Sequence, residues 1–521
     1  MNYDIIILGG GHNGLVAAFY LARAGKKVLV LEARPIVGGA CVTEELIPGY
    51  RFSTCANVLW GLRPKVYQDL GLEERGLKVD TRRFLRLLPG GRYLFSDRNT
   101  GASTPGDSLA TTQKAIAQFS AKDAAFLPQW QEFLNRLTRI FGPFLLRLPP
   151  TLEELRAACA DAEDRKALEL ILTTPVAELA ERFFESDLMR NIGAGADMGA
   201  GREAGSGLLL ALVTAMGAYS ETGQPVLNGF IRGGMGHLTE LMKQAAVEHG
   251  AEVRTNTLVR RIVIERGQAQ GVELASGAVL RSRIVVSNAD PKRTFLHLIA
   301  AADLDPAFRA RVAALQTHAA AGLKLHCALS ELPRYDVAGG LTETQLREAT
   351  VLFSPGAAFQ EAAWQAALAG ELPTEPVVAA FLPSVYDPSL APAGKFTWSA
   401  YVTWAPVQLK RGSWPERKAE MAENIFRVVE RFSPNFRQAL VDYRLLTPDQ
   451  FEKEHFLTDG NIHHVDATAS QILWRRPLEE LAHYRTPVAG LYLCGAGMHP
   501  WGEVSGAPGH NAAHTILDDL K

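Results

Sequence analysis

Tyr3-Asp4-Ile5-Ile6-Ile7-Leu8-Gly9-Gly10-Gly11-His12-Asn13-Gly14-Leu15-Val16-Ala17-Ala18 is the stretch that decides the fold. A short apolar run meets a glycine cluster, and a helix-forming segment follows at once. Gly9, Gly11 and Gly14 satisfy G-x-G-x-x-G in the strand–turn–helix setting that gives this spacing its meaning. Gly9 allows the tight turn, Gly11 the close approach of a pyrophosphate, and Gly14 close packing of helix on strand. The amides of His12 and Asn13 then face the phosphates at a helix N-terminus, where the helix dipole favours negative charge.

The next segment extends the site. Lys27-Val28-Leu29-Val30-Leu31-Glu32 reads as a second buried strand tipped by an acid. Glu32 falls near the ~20-residue offset at which a carboxylate meets the ribose hydroxyls of a dinucleotide. Its charge would repel a 2′-phosphate, which disfavours NADP. Ala33-Arg34 and the pair Gly38-Gly39 follow, with Ala40 behind them. A second glycine pair lets backbone amides approach a ligand beyond the ribose, as suits a cofactor that runs deeper than its pyrophosphate.

The 521 residues exceed one ordinary core, so two or more domains are expected. Apolar residues at 47% and charged residues at 21% match a soluble globular chain. The 54 basic and 56 acidic residues leave a net charge of −2, which gives no sign of a nucleic-acid partner. Five scattered cysteines (Cys41, Cys55, Cys159, Cys327, Cys494) with no C-x-x-C pair predict reduced thiols and no zinc or other metal site. The first strand begins right after Met1-Asn2, so no leader peptide is expected. No apolar run reaches the ~18 residues that span a bilayer. The expectation is a cytoplasmic protein, at most peripheral to a membrane.

Residues 1–80, 225–300 and 471–521 read as one discontinuous nucleotide domain, and 81–224 with 301–470 as a substrate domain carrying a helical insertion. Segments 113–126, 129–141, 151–172 and 176–191 have spaced apolar residues and few breakers, so they predict helices. The 136–147 run mixes bulky apolar residues with arginines; it suits either a membrane interface or an amphipathic helix over a core. Gly233-Gly234-Met235-Gly236 opens a helix that runs to His249, but no clear buried strand ends at it, so it is not a second dinucleotide fingerprint. Either a flexible helix start or a ligand contact remains open there. A strand at 251–255, a hairpin at 258–265 and 269–274, and a parallel strand at 283–289 ending in Asn288 and Ala289 complete the nucleotide half. Segments 322–329, 376–382 and 396–404 alternate or run apolar as strands of a second sheet, with a helix at about 416–432. Trp398, Tyr401 and Trp404 suit core packing or a pocket wall.

The run Gly11-His12-Asn13-Gly14-Leu15-Val16-Ala17-Ala18, the Glu32-x-Arg34-x-x-x-Gly38-Gly39 spacing and Thr43-Glu44-Glu45 resemble the phytoene desaturase-related flavoproteins. The nearest branch is the pyridine nucleotide-disulfide oxidoreductase domain-containing protein 2 group, with carotene ketolases and carotenoid isomerases as cousins. The resemblance covers both nucleotide segments and the 490–513 tail, and the middle only in patches. It implies an α/β fold: a Rossmann-type FAD-binding domain with an inserted α+β substrate domain of mixed sheet and helices. FAD's adenosine lacks a 2′-phosphate, which agrees with Glu32. The resemblance also implies that the backbone at Val259 contacts adenine, and that Asn288 and Ala289 lie near the dinucleotide. Gly495 and Ala496 would flank the ribityl chain, and Val504, Ser505 and Gly506 would lead into the last helix under the flavin's pyrimidine edge. There the helix dipole would stabilise negative charge on the reduced ring.

Three places depart from the family pattern. Gly39-Ala40-Cys41-Val42 looks like the start of a disulfide-reductase motif, but the position five residues on is Leu46, which excludes a redox-active disulfide of that spacing and leaves Cys41 as a small packed residue near the flavin. His464 takes the family's histidine place, with Val465 where a glycine is usual, and is expected in the substrate pocket. Trp501 and Glu503 replace two glycines of the loop after His499-Pro500, which puts bulk and a carboxylate beside the pocket. His499 and Glu503 are the candidate acid–base groups, or else brace that loop. The function expected is an FAD-dependent oxidoreductase acting on an isoprenoid, carotenoid or lipid-like molecule by hydride transfer to flavin N5, as desaturation, oxidation or flavin-assisted isomerisation. The electron acceptor would be oxygen, a quinone or another protein. A flavin amine oxidase of the same architecture and a flavin-bearing scaffold with little catalysis are the alternatives.

Overall fold

The computed structural model describes residues 3–96, 108–193, 206–318, 321–356 and 358–521. The Ile5–Leu8 strand carries no polar side chain and is buried along its whole length, as a parallel sheet covered on both faces requires. It pairs in parallel with Val28–Leu31 on one side and Ile284–Ser287 on the other. Glu252–Arg254 and Leu491–Leu493 add the outer strands, also in parallel. The chain therefore leaves this five-stranded sheet twice and returns to finish it close to its C-terminus. Helices His12–Arg23, Met235–Glu248 and Ala507–Asp519 pack together in the same core. This is the Rossmann-type α/β fold that the glycine-rich opening predicts.

A second, seven-stranded sheet runs in the order Leu440–Leu446, Gly322–Leu329, Phe396–Thr403, Val377–Phe381, Ala349–Phe353, Arg83–Leu87 and Tyr93–Ser96. Period-two alternation decides its two faces. Leu85, Val351, Val378, Ala400 and Leu325 point into a core with Met421, Ile425, Phe426 and Val429 of the Trp414–Glu430 helix. The residues between them, Phe84, Thr350, Ala379 and Tyr401, line a cavity on the opposite face.

The helical layer differs in its breaks from the sequence expectation. Segments 113–126 and 129–141 become Ser108–Ala117 and Ala121–Phe141. Ser120 caps the second helix by accepting the Asp123 amide at 3.0 Å. Pro128 stays inside it, because the buried stripe of Leu127, Trp130, Leu134, Leu137 and Ile140 outweighs the one lost backbone bond. Segment 151–172 splits into Leu152–Ala157, with a capping box of Thr151 and Glu154, and Ala162–Thr173, capped by Asp161. Segment 176–191 likewise divides into Val176–Phe183 and Asp187–Gly193. Arg136 and Arg139 are paired with Asp164, and Arg147 with Glu154, while Leu137, Ile140, Phe141 and Leu145 are buried. This is the amphipathic-helix alternative. Among the described residues no helix is long and apolar enough to cross a membrane.

A strand, Leu227–Ile231, does precede Gly233, but it is antiparallel to Leu59–Leu62 and Val79–Thr81 in a separate sheet. The amides at the start of the helix are taken by protein side chains. Gly233 donates to Asp387 Oδ2 (2.6 Å), Met235 to Ser53 Oγ (3.0 Å) and Gly236 to Thr43 Oγ1 (3.0 Å). The motif is an interdomain clasp, and the ligand-contact alternative falls.

Candidate functional site

A cavity lies at the carboxyl ends of Ile5–Leu8, Val28–Leu31 and Ile284–Ser287, where parallel α/β sheets bind ligands. Gly9, Gly11, His12 and Asn13 form one wall; Glu32, Ala33 and Arg34 form the next. Gly39, Ala40, Val259, Asn288, Ala289 and Ala496 close it. Sequence reasoning named all of these from three distant segments, and the fold brings them together.

The glycines act by what they leave out. Gly9 has φ +92°, and a Cβ on Gly14 would stand 2.4 Å from the Gly9 carbonyl oxygen. A Cβ on Gly11 would stand 2.7 Å from Asn288 Nδ2. The His12–Arg23 helix has no side-chain cap, and its first backbone bond runs from Leu15 N–H to the Gly11 carbonyl. Its first-turn amides are thus left for a ligand, and an anion fits where no side chain stands. Gly38 stands outside the wall and braces it, donating its N–H to the Gly10 carbonyl (2.8 Å).

Glu32 is buried, with Oε2 accepting from Gly10 N–H and Oε1 from Arg34 N–H, both at 2.8 Å. Burial raises its pKa, and these amides oppose the rise. Arg34 is held by Glu44 at 2.7 Å. Thr257, Arg293, His455 and Phe456 also line this cavity. No local motif marks them; Thr257 enters because its N–H bonds the Glu32 carbonyl (2.8 Å).

A second cavity adjoins the first, since His12, Ala40 and Ile462 line both. Val58, Trp60, Phe84, Val213, Phe381 and Tyr401 give it an apolar wall, and Asn57, Arg82, Thr350, His463 and Glu503 add polar groups. Trp501, Glu503 and Val504 line it as the C-terminal loop predicts. Three expectations need correction. His464 lines the cofactor cavity, whereas its neighbour His463 faces the second one. His464 has φ +68°, and this left-handed turn swaps the outlooks of the two rings. His463 stacks on Trp501, with ring centroids 4.4 Å apart and an interplanar angle of 19°. His499 lines neither cavity. It is fully buried, its Nε2 lies 2.8 Å from the Phe144 carbonyl oxygen, and its own carbonyl accepts from Tyr484 Oη–H (2.7 Å). Burial lowers its pKa to about 4, so it is a neutral brace between the helical layer and the loop. Ser505 and Gly506 also stand back from the cavity walls. Gly506, at φ +70°, caps the Ala507–Asp519 helix, and Ser505 Oγ accepts the Ala507 amide (3.3 Å). Gly495 keeps His464 in place, since a Cβ there would meet its ring at 2.8 Å.

Two buried cations escaped the sequence reading. Arg476 has no exposed surface and donates to six carbonyls, those of His463, Val465, Asp466, Gln471, Ala496 and Met498. One guanidinium therefore fixes both the histidine turn and the glycine turn of the C-terminal strand, and burial lowers its pKa to about 9. Lys324 faces Tyr401 across the Gly322–Leu329 and Phe396–Thr403 pairing, on the cavity side of the sheet. Its Nζ has no hydrogen-bond partner and lies 5.6 Å from the Phe381 ring centroid. Burial lowers it to about 7. A lysine at an alternate position of a wholly buried strand was the available signal.

Comparison with known proteins agrees with this geometry. Residues 14–507 match the flavin containing amine oxidoreductase family. The chain is 35% identical to pyridine nucleotide-disulfide oxidoreductase domain-containing protein 2 of Rattus norvegicus, covering 100% of this chain and 94% of the relative. It is 28% identical to a limonene dehydrogenase component of Castellaniella defragrans, over 99% and 95% of the two chains. It is 26% identical to a lycopene-forming phytoene desaturase of Pseudescherichia vulneris, over 99% of each. Its fold is similar to cyclohexylamine oxidase of Brevibacterium oxydans, with a TM-score of 0.57 at 16% identity and 100% coverage of both chains. FAD is the cofactor, and the open glycine cradle, the uncapped helix start and Glu32 are residues that fit it. The chain belongs to the flavin containing amine oxidoreductase family.

Proposed function

We propose that this chain is an FAD-dependent oxidoreductase that removes a hydride from a hydrophobic, isoprenoid- or lipid-like molecule held in the second cavity. One observation carries the reading: an apolar and aromatic wall opens directly onto the cofactor cavity at His12, Ala40 and Ile462. Burying apolar surface contributes ~25 cal/mol per Å², so a hydrocarbon chain can be held there without a polar anchor. Two relatives are named for limonene and phytoene, both isoprenoids. When bound, FAD supplies the two-electron acceptor. The chain's own residues do the rest. The first turn of the His12–Arg23 helix and Glu32 hold the nucleotide end, and the Trp501–His463 stack closes the wall against water. Glu503 is the one carboxylate among the described residues of that wall and is the acid–base candidate. Lys324 stands beneath Tyr401 and Phe381, close to neutrality, and can hold or release a proton at Nζ.

Amine oxidation is the second reading, favoured by the same Glu503 carboxylate, which would pair with an ammonium group. Product analysis separates the two. An isoprenoid product lighter by two hydrogens supports the proposal; conversion of amines alone to carbonyl products supports the second reading and ends the first.

A further inference from the structure

In the hairpin of Thr43–Ile47 and Tyr50–Ser53, Thr43 faces Ser53 and Glu44 faces Phe52. Two more backbone bonds carry that register outward, from Thr54 N–H to the Val42 carbonyl (3.2 Å) and from Ala56 N–H to the Ala40 carbonyl (2.9 Å). Cys41 and Cys55 therefore stand opposite each other between those two bonds. That is the non-hydrogen-bonded position of an antiparallel ladder, where Cα atoms approach to ~4.5 Å and opposing side chains share a face. A disulfide spans Cα separations of ~4.4–6.8 Å. Both thiols are free and buried, and both line the second cavity. Cys41 Sγ lies 3.6 Å from His12 Nδ1, and Cys55 Sγ lies 4.0 Å from Thr54 Oγ1. Sequence spacing sought a partner for Cys41 at position 46; the hairpin supplies one at 55.

We propose that Cys41 and Cys55 are a redox-active dithiol that closes to a disulfide in the wall between the two cavities, with a hydroperoxide as oxidant. Cys41 Sγ attacks one oxygen of hydrogen peroxide and the O–O bond breaks. The thiol proton passes to the departing oxygen, giving a sulfenic acid and one water. Cys55 Sγ then displaces the sulfenic hydroxyl, which leaves as a second water with the Cys55 proton, and the S–S bond forms. Two electrons move from the two sulfurs to the peroxide. Burial pushes the Cys41 thiol well up and the Cys55 thiol up to about 12, so the first step needs a proton acceptor at hand. His12 is placed for that: burial lowers it to about 4, which keeps Nδ1 neutral and free to take and return the Cys41 proton. The bond would tie Ala40, which lines both cavities, to the strand that carries Asn57.

The test uses the flavin-loaded, wild-type chain. It is treated with hydrogen peroxide, unfolded, alkylated without reductant and mapped by mass spectrometry. The number of alkylated cysteines should fall from the five in the chain to three, with a peptide pair joined through Cys41 and Cys55. Dithiothreitol should restore all five. In Cys55→Ser, or in Cys55→Ala where the serine variant fails to hold flavin, dimedone should trap Cys41 as the sulfenic acid. The proposal is overturned by five alkylated cysteines after peroxide, by a bond from either residue to another cysteine, or by sulfinic acid at Cys41 in the wild type without the cross-link.

Discussion

Replacing Lys324 by methionine should stabilise the folded protein, and by an amount that shrinks as pH rises. Every residue of Gly322–Leu329 is buried, and Nζ has no partner. Burial carries the ammonium from its ordinary 10.5 down to about 7. Each tenfold change in proton affinity corresponds to ~1.4 kcal/mol, so the folded state gives up roughly 4–5 kcal/mol wherever the unfolded lysine is charged and the folded one must be too. The sign follows from the depressed folded value. The unfolded chain binds the proton more tightly, so the penalty is full below about pH 7, about 2 kcal/mol remains near pH 9, and it vanishes above the unfolded pKa. The Phe381 ring and Cys55 favour the charged form and offset part of this, with a cation–π contact contributing ~0.5–2 kcal/mol. Methionine is unbranched and of similar volume, so repacking should cost under ~1.5 kcal/mol. The expected gain is roughly 2–4 kcal/mol at neutral pH. Urea unfolding of wild type and Lys324→Met with FAD in excess, repeated from about pH 7 to about pH 9.5, measures it. A difference that stays constant with pH, or a variant less stable at pH 7, would refute the reasoning.

Three further outcomes are expected. Arg476→Lys keeps the charge but has three donors for six carbonyls, so it should lose at least ~3 kcal/mol and shed flavin on heating; an unchanged melting temperature contradicts the carbonyl cage. Glu32→Ala leaves the Gly10 amide without its acceptor and removes the ribose partner, so FAD affinity should fall ~10–100-fold by fluorescence titration. Wild-type affinity in that variant would remove Glu32 from the site. Trp501→Ala empties the ring that His463 stacks on, at ~3–5 kcal/mol of stability, and should lower KM for bulkier isoprenoids. A KM that ignores substrate length would mean that Trp501 does not bound the cavity.

The sequence was most legible where one backbone geometry admits few residues. Gly9, Gly11 and Gly14 need the absence of a Cβ, and Glu32 needs one offset from them, so the cofactor cavity could be named before the fold was seen. The two histidines show where this stops. His463 and His464 are adjacent, and only the φ of +68° at His464 decides which ring meets which cavity. His499 stood in the right loop, but the Phe144 carbonyl, supplied by the helical layer, turns it away. Pro128 misled because local propensity is weaker than a buried stripe. Cys55 and Lys324 carry no motif at all: one depends on a hairpin register, the other on which face of a sheet meets a helix.

The central claim is that the cavity beside His12, Ala40 and Ile462 delivers an apolar substrate to FAD. Anaerobic titration of the flavin-loaded protein with isoprenoids of increasing length, followed by flavin absorbance, tests it most directly. The account predicts that the oxidised flavin band bleaches as isoprenoid is added, with amines inert. A flavin that stays oxidised with every isoprenoid, or that bleaches with amines alone, would contradict it.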